Sequence, residues 1–161
     1  EMKTYADEHG EATLREWWSK GAINLLYGAR DLDLALALHA EMKTYADEHG
    51  EAPLRESWSM GAVNLLRDLG ARDPDTSLAL LHMMKAYADE FGEAPLREQW
   101  AHGAYNLLSD LRTRDPRAAR VLLAEMETYA DEHGEAPLRD WWTKGAVDLL
   151  SDPATRDPDA D

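Results

Sequence analysis

The chain has 161 residues, 44% hydrophobic and 30% charged, the balance of a folded chain rather than a disordered one. Its formal charge of −15, from 32 acidic and 17 basic residues, argues against nucleic acids and anionic membranes and favours basic or apolar protein or peptide partners. It has no cysteine, which excludes disulfides, thiolate-bound zinc and thiol catalysis, and no apolar run approaches the roughly 20 residues of a membrane span.

Self-similarity dominates the chain. Tyr-Ala-Asp-Glu begins at Tyr5, Tyr45, Tyr87 and Tyr129, and Gly-Ala at Gly21, Gly61, Gly103 and Gly145, so both series step by 40, 42 and 42 residues. The short first step arises where Tyr27-Gly28-Ala29-Arg30 replaces the six residues Arg67 to Arg72 of the next copy.

In chain order, residues 1–9 read as the second half of a helix B. Three helical hairpins follow, at about 13–49, 53–91 and 95–133, then a lone helix A at 137–151 and an acidic tail at 152–161, expected to be mobile. Residues 1–151 thus form one array. The chain opens on Glu1 without a signal-peptide pattern and reads as a fragment, so that any targeting segment would lie outside it, and the cytoplasm is the expected compartment. In the clearest copy, helix A opens at Pro53, whose fixed φ suits a first helical turn, and carries Leu54, Trp58, Gly61, Ala62, Leu65 and Leu66 on one face. Helix B opens at Asp73-Pro74, an N-cap acid followed by proline, and stops at Gly92, the residue type that best adopts a left-handed helix end. Such hairpins must stack to bury their apolar faces.

Trp18-Gly21-Ala22-Leu25 recurs as Trp58-Gly61-Ala62-Leu65, Trp100-Gly103-Ala104-Leu107 and Trp142-Gly145-Ala146-Leu149. A proline precedes this pattern at Pro53, Pro95 and Pro137, with Thr13 in the first copy. The pattern resembles the tetratricopeptide repeat family, in a longer class of 42 residues rather than the family's usual 34. The resemblance implies an all-α fold: an α-solenoid of antiparallel helix-turn-helix repeats, coiled as a right-handed superhelix with helix A lining the concave face. It also implies protein–protein recognition on that face. Members that grip a terminal carboxylate resemble one another in lining the groove with cations. Here the position after the repeated Trp is Ser19, Ser59, Ala101 and Thr143, which offers none. The Trp-Gly-Ala-Leu signature itself reads as packing, since a helix-interior glycine costs about 1 kcal/mol and close helix contact explains its recurrence.

Positions that differ between copies separate recognition from packing. On helix A they are Trp17, Ser57, Gln99 and Trp141; Lys20, Met60, His102 and Lys144; Ile23, Val63, Tyr105 and Val147; and Tyr27, Arg67, Ser109 and Ser151. Their spacing of three, three and four residues makes one stripe, the candidate partner-binding surface, although drift at a solvent-facing or loosely packed seam would leave the same trace.

The Asp-Glu-His-Gly-Glu runs at 7–11, 47–51 and 131–135 group carboxylates with imidazole, but the remaining copy has Phe91 in place of His, and no metal or cofactor is expected. The run ends a helix B, where its acids oppose the helix dipole and only Lys3–Asp7, Lys43–Asp47 and Lys85–Asp89 pairs offset them. Catalytic motifs are missing, so a non-enzymatic scaffold is the primary expectation. The alternative is a self-associating array, by head-to-tail stacking or exchange of terminal helices.

Overall fold

The computed structural model describes residues 4, 12–28, 30–70 and 72–153. The expected half-helix at 1–9, Thr4 apart, and the tail beyond Pro153 lie outside the described residues. Seven helices and no strand occur among the described residues: α1 (Ala12–Leu26), α2 (Leu32–His49), α3 (Ala52–Leu69), α4 (Pro74–Phe91), α5 (Ala94–Arg114), α6 (Pro116–His133) and α7 (Ala136–Ser151). The odd-numbered helices are the A helices of the repeat and the even-numbered ones the B helices.

Local chemistry sets the boundaries. Asp31, Asp73 and Asp115 cap α2, α4 and α6, each accepting a hydrogen bond from the backbone N–H three residues on. Gly50, Gly92 and Gly134 end the same helices at φ of 64°, 63° and 64°, where any side chain would be strained. The shortened first hairpin turns instead at Gly28, with φ 65°.

Each A helix packs on the next A helix, and each B helix packs on the A helices before and after it. A continuous hydrophobic core follows, from Ala22 in α1 to Leu149 in α7. The A-to-A contact is made where the sequence places glycine. A methyl group on Gly61 would lie 2.9 Å from Leu26 Cδ1, one on Gly103 2.7 Å from Leu66 Cδ1, and one on Gly145 2.7 Å from Leu108 Cδ2. The leucine of one repeat therefore occupies the space that hydrogen instead of Cβ leaves on the next.

Within each hairpin, Trp18, Trp58 and Trp100 of the A helices meet Tyr45, Tyr87 and Tyr129 of the B helices edge to face, with centroids 4.8, 5.0 and 4.7 Å apart. Two polar clasps join successive repeats. Arg15, Arg55 and Arg97 give both Nε and Nη2 to one oxygen of Glu51, Glu93 and Glu135, with Nε–O distances of 2.9, 3.0 and 2.9 Å. These glutamates stand at the N-caps of α3, α5 and α7 yet make no side-chain cap, because the preceding repeat holds their carboxylates. In the second clasp, Tyr87 Oη donates to Asp47 at 2.9 Å and Tyr129 Oη to Asp89 at 2.8 Å. Burial first, and then these carboxylates, raise both phenol pKa values well above the ordinary tyrosine range.

The clasp accounts for the acids that oppose the helix dipole: Asp47 and Asp89 are acceptors for the next repeat. Lys43 pairs with Asp47 at 2.9 Å, as the spacing predicts, whereas Lys85 reaches across to Glu125 at 4.0 Å. The alternation of His and Phe in the same run also has a packing reason. His49, Phe91 and His133 each meet the tyrosine four residues earlier edge to face, a contact that any aromatic ring satisfies.

The four equivalent glycines should respond differently to alanine. Gly103→Ala forces buried Leu66 aside and is expected to destabilise by about 1–2 kcal/mol. Gly21, with nothing within 4 Å of its added methyl, should gain up to about 1 kcal/mol as Gly21→Ala. Urea unfolding of the two variants checks the opposite signs.

Candidate interaction surface

The variable stripe does not behave as one surface. Ser57 and Val63 are buried, so these two are corrected from partner contacts to packing residues, and Ile23 is half-buried against the core. Helix α3 has A helices on both sides, so its flanks are interior. Gln99, His102, Tyr105, Ser109 and Trp141 are half-buried, while Lys20, Arg67, Lys144 and Ser151 are exposed. Trp17, Tyr27, Met60 and Val147 are exposed apolar groups, at 63%, 64%, 41% and 57%.

The stripe divides into an open part and a knotted part. In the open part, on α1, the turn after it and α3, the Arg67 guanidinium lies over the Tyr27 ring at 4.4 Å, with Trp17 on α1 and Met60 on α3. In the knotted part, on α5 and α7, His102 stacks on Trp141 with centroids 4.2 Å apart, and Trp141 leans on Tyr105 at 5.3 Å. Lys144 Nζ lies 4.4 Å from the Trp141 centroid, and Tyr105 Oη donates to Asp148 at 2.7 Å. These groups fasten α5 to α7. Burial, followed by the Lys144 and Arg67 charges, lowers the His102 pKa below the ordinary histidine value. The Asp148 hydrogen bond is the main cause that raises the Tyr105 pKa.

A second set of hollows was not legible as a site in the sequence. Successive B helices touch through the Tyr–Asp clasps but pack little on each other, and grooves of about 340 and 390 Å³ open between α2 and α4 and between α4 and α6. They are one groove repeated at 42 residues: Leu36, His39, Ala79 and Met83 in the first correspond to Leu78, Leu81, Val121 and Glu125 in the second. The signal that marks them is the 42-residue recurrence of mostly apolar residues on the facing sides of the B helices.

His39 distinguishes the first groove. It is 4% exposed, stacks on Trp58 with centroids 4.8 Å apart, and its Nε2 lies 2.8 Å from the Trp58 carbonyl oxygen. A neutral ring donating from Nε2 fits this geometry. Burial depresses its pKa to about 4, only partly offset by the backbone bond. Among the described residues, no three His, Asp or Glu side chains gather as metal ligands, and no helix is long and apolar enough to cross a membrane. No family model, no curated protein and no solved structure matches the chain.

His39 makes stability depend on pH with a definite sign. Its folded pKa lies below the ordinary 6.5, so its contribution is complete above pH 6.5 and is lost as pH falls toward about 4, where the unfolded chain takes up the proton first. The loss is on the order of 3 kcal/mol. His39→Leu, matching Leu81 and Leu123 of the later copies, is expected to flatten that part of the stability–pH curve, measured by urea unfolding between pH 7 and pH 4.

Proposed function

We propose that the chain is a tetratricopeptide-like α-solenoid, a single array through residue 151 coiled as a right-handed superhelix, that serves as a non-enzymatic cytoplasmic scaffold. The seam between A helices, made of equivalent residues at each step, supports the solenoid reading, because every repeat completes its neighbour's interior. The scaffold grips an extended or helical segment of another protein on the A-helix face, centred on α1 and α3. Exposure of Trp17 on α1, Tyr27 in the turn that follows it, and Met60 and Arg67 on the adjacent α3 is the observation that carries the proposal. Large apolar groups beside an arginine supply contact area at small entropic loss, the usual make-up of a binding anchor.

The overall charge of −15 favours a basic or apolar segment. The exposed stripe carries its own cations, Lys20, Arg67 and Lys144, so apolar anchors are favoured at the contact itself, with basic flanks meeting the acidic surroundings.

Selection of a random peptide library against the intact chain, followed by calorimetric affinities for three proteins, tests this reading. Selected peptides should be apolar with basic flanks. A combined Trp17→Ala, Tyr27→Ala, Arg67→Ala variant should bind them at least about tenfold more weakly, a change of about 1.4 kcal/mol. Met83→Glu, on the groove between α2 and α4, should leave affinity unchanged. The reverse pattern would move the site to the B-helix grooves.

A further inference from the structure

We infer that the groove between α4 and α6 holds an acidic peptide segment of a partner protein, with one apolar side chain in the groove and carboxylates on Arg114 and Arg117. The inference does not depend on what the A-helix face binds.

The charge of the third hairpin departs from that of the other two at one place. Residues 110–120, across the turn from α5 to α6, carry four Arg and two Asp, whereas the equivalent residues 68–78 carry one Arg and three Asp. Arg117 marks the reversal. It stands in the first turn of α6, in the register of Asp33 on α2 and Asp75 on α4. An acid there meets the positive end of the helix dipole, so an arginine is unfavourable and helix formation does not explain it. Arg114 and Arg117 are exposed, and neither forms an ion pair with a described residue. The nearby carboxylates are engaged elsewhere. Asp115 caps α6 through the Ala118 N–H, and Asp110, close enough to feel the Arg114 charge, lies against Gly70 at the end of α3.

Exposure at these two positions is a property of the repeat. Arg30 and Asp33, and Arg72 and Asp75, are exposed as well, each with the following repeat in place. Arg120, by contrast, stands in the register of Leu36 and Leu78, which face the following repeat, and Arg112 lines a separate hollow with Asp148 and Asp152. Neither belongs to the site.

Arg117 lines the groove of about 390 Å³ together with Leu78 on α4 and Val121 and Leu122 on α6. Val121, one helical turn on from Arg117, is 65% exposed. The acids of the groove are Asp115, the cap, and Glu125, which Lys85 meets at 4.0 Å; His82 completes the titratable lining. The groove between α2 and α4 differs, because Asp75 and Ala79 stand there in the register of Arg117 and Val121. A chain of charge −15 repels acidic partners elsewhere, so the two arginines confine the favourable contact to a short stretch. Duplex DNA or an anionic vesicle would extend past them onto acidic surface. A short segment with carboxylates around one apolar residue does not.

Fluorescence anisotropy of a labelled Glu-Glu-Leu-Glu-Glu peptide on the intact chain, with amide NMR shifts to place it, tests this. The shifts should concentrate on the α5–α6 turn and the α4–α6 groove, and binding should weaken as salt rises. Arg117→Asp, which places there the residue of the other copies at an exposed position, should weaken binding at least about fivefold with unchanged helical circular dichroism. Exchanging the peptide's leucine for glycine should weaken it at least about threefold. The combined Trp17→Ala, Tyr27→Ala, Arg67→Ala variant should bind this peptide as the wild type does. No localised shift at millimolar peptide, equal binding by Arg117→Asp or by the glycine peptide, or weakened binding by the A-face variant would each overturn the inference. So would tighter binding of a Lys-Lys-Leu-Lys-Lys peptide, of duplex DNA or of anionic vesicles.

Discussion

The close approach of successive A helices, with a leucine lying where a side chain of the next helix would otherwise be, is the constraint on which the architecture rests. Glycine in the middle of a helix is unfavourable by about 1 kcal/mol and makes no contact of its own. At Gly61, Gly103 and Gly145 it admits fully or almost fully buried leucines, each worth about 1.5–3 kcal/mol on removal from water. The exchange is favourable only when a neighbour supplies the leucine, so the repeat is built to be incomplete.

Directional polar contacts then fix how one repeat sits on the next. Hydrophobic contact alone would tolerate sliding along the helix axis. A guanidinium giving two donors to one carboxylate oxygen and a phenol bonded to an aspartate do not tolerate it, because both are geometry-sensitive and partly shielded from water. The recurring Tyr-Ala-Asp-Glu string thus carries two ends of different bonds: its tyrosine reaches back to the previous repeat and its aspartate waits for the next. The acidic bias at the B-helix ends, unfavourable for an isolated helix, follows from that role.

Much of this was written in the chain. Asp before Pro, Gly after the last apolar turn and the 42-residue period place the hairpin boundaries within a residue or so, since capping is local chemistry. The burial of Ser57 and Val63 was not readable. Variation between copies signals freedom from the repeat consensus, not exposure, and a helix with A neighbours on both sides buries positions that a single apolar stripe would leave out. Tyr105 shows the same limit: it differs from its counterparts because α5 and α7 are fastened there by a bond to Asp148 that no other copy makes. The B-helix grooves also escaped, because they depend on how far apart two clasped helices stand, a property of neither sequence alone.

Mutual dependence of the repeats is tested most directly on one hairpin taken by itself. A peptide spanning residues 94–133, which covers α5 and α6 without α3, α4 or α7, should show little helical circular dichroism and no cooperative thermal transition, while the whole chain melts in a single cooperative step. A 94–133 hairpin that is fully helical and melts as sharply as the intact protein would contradict the account.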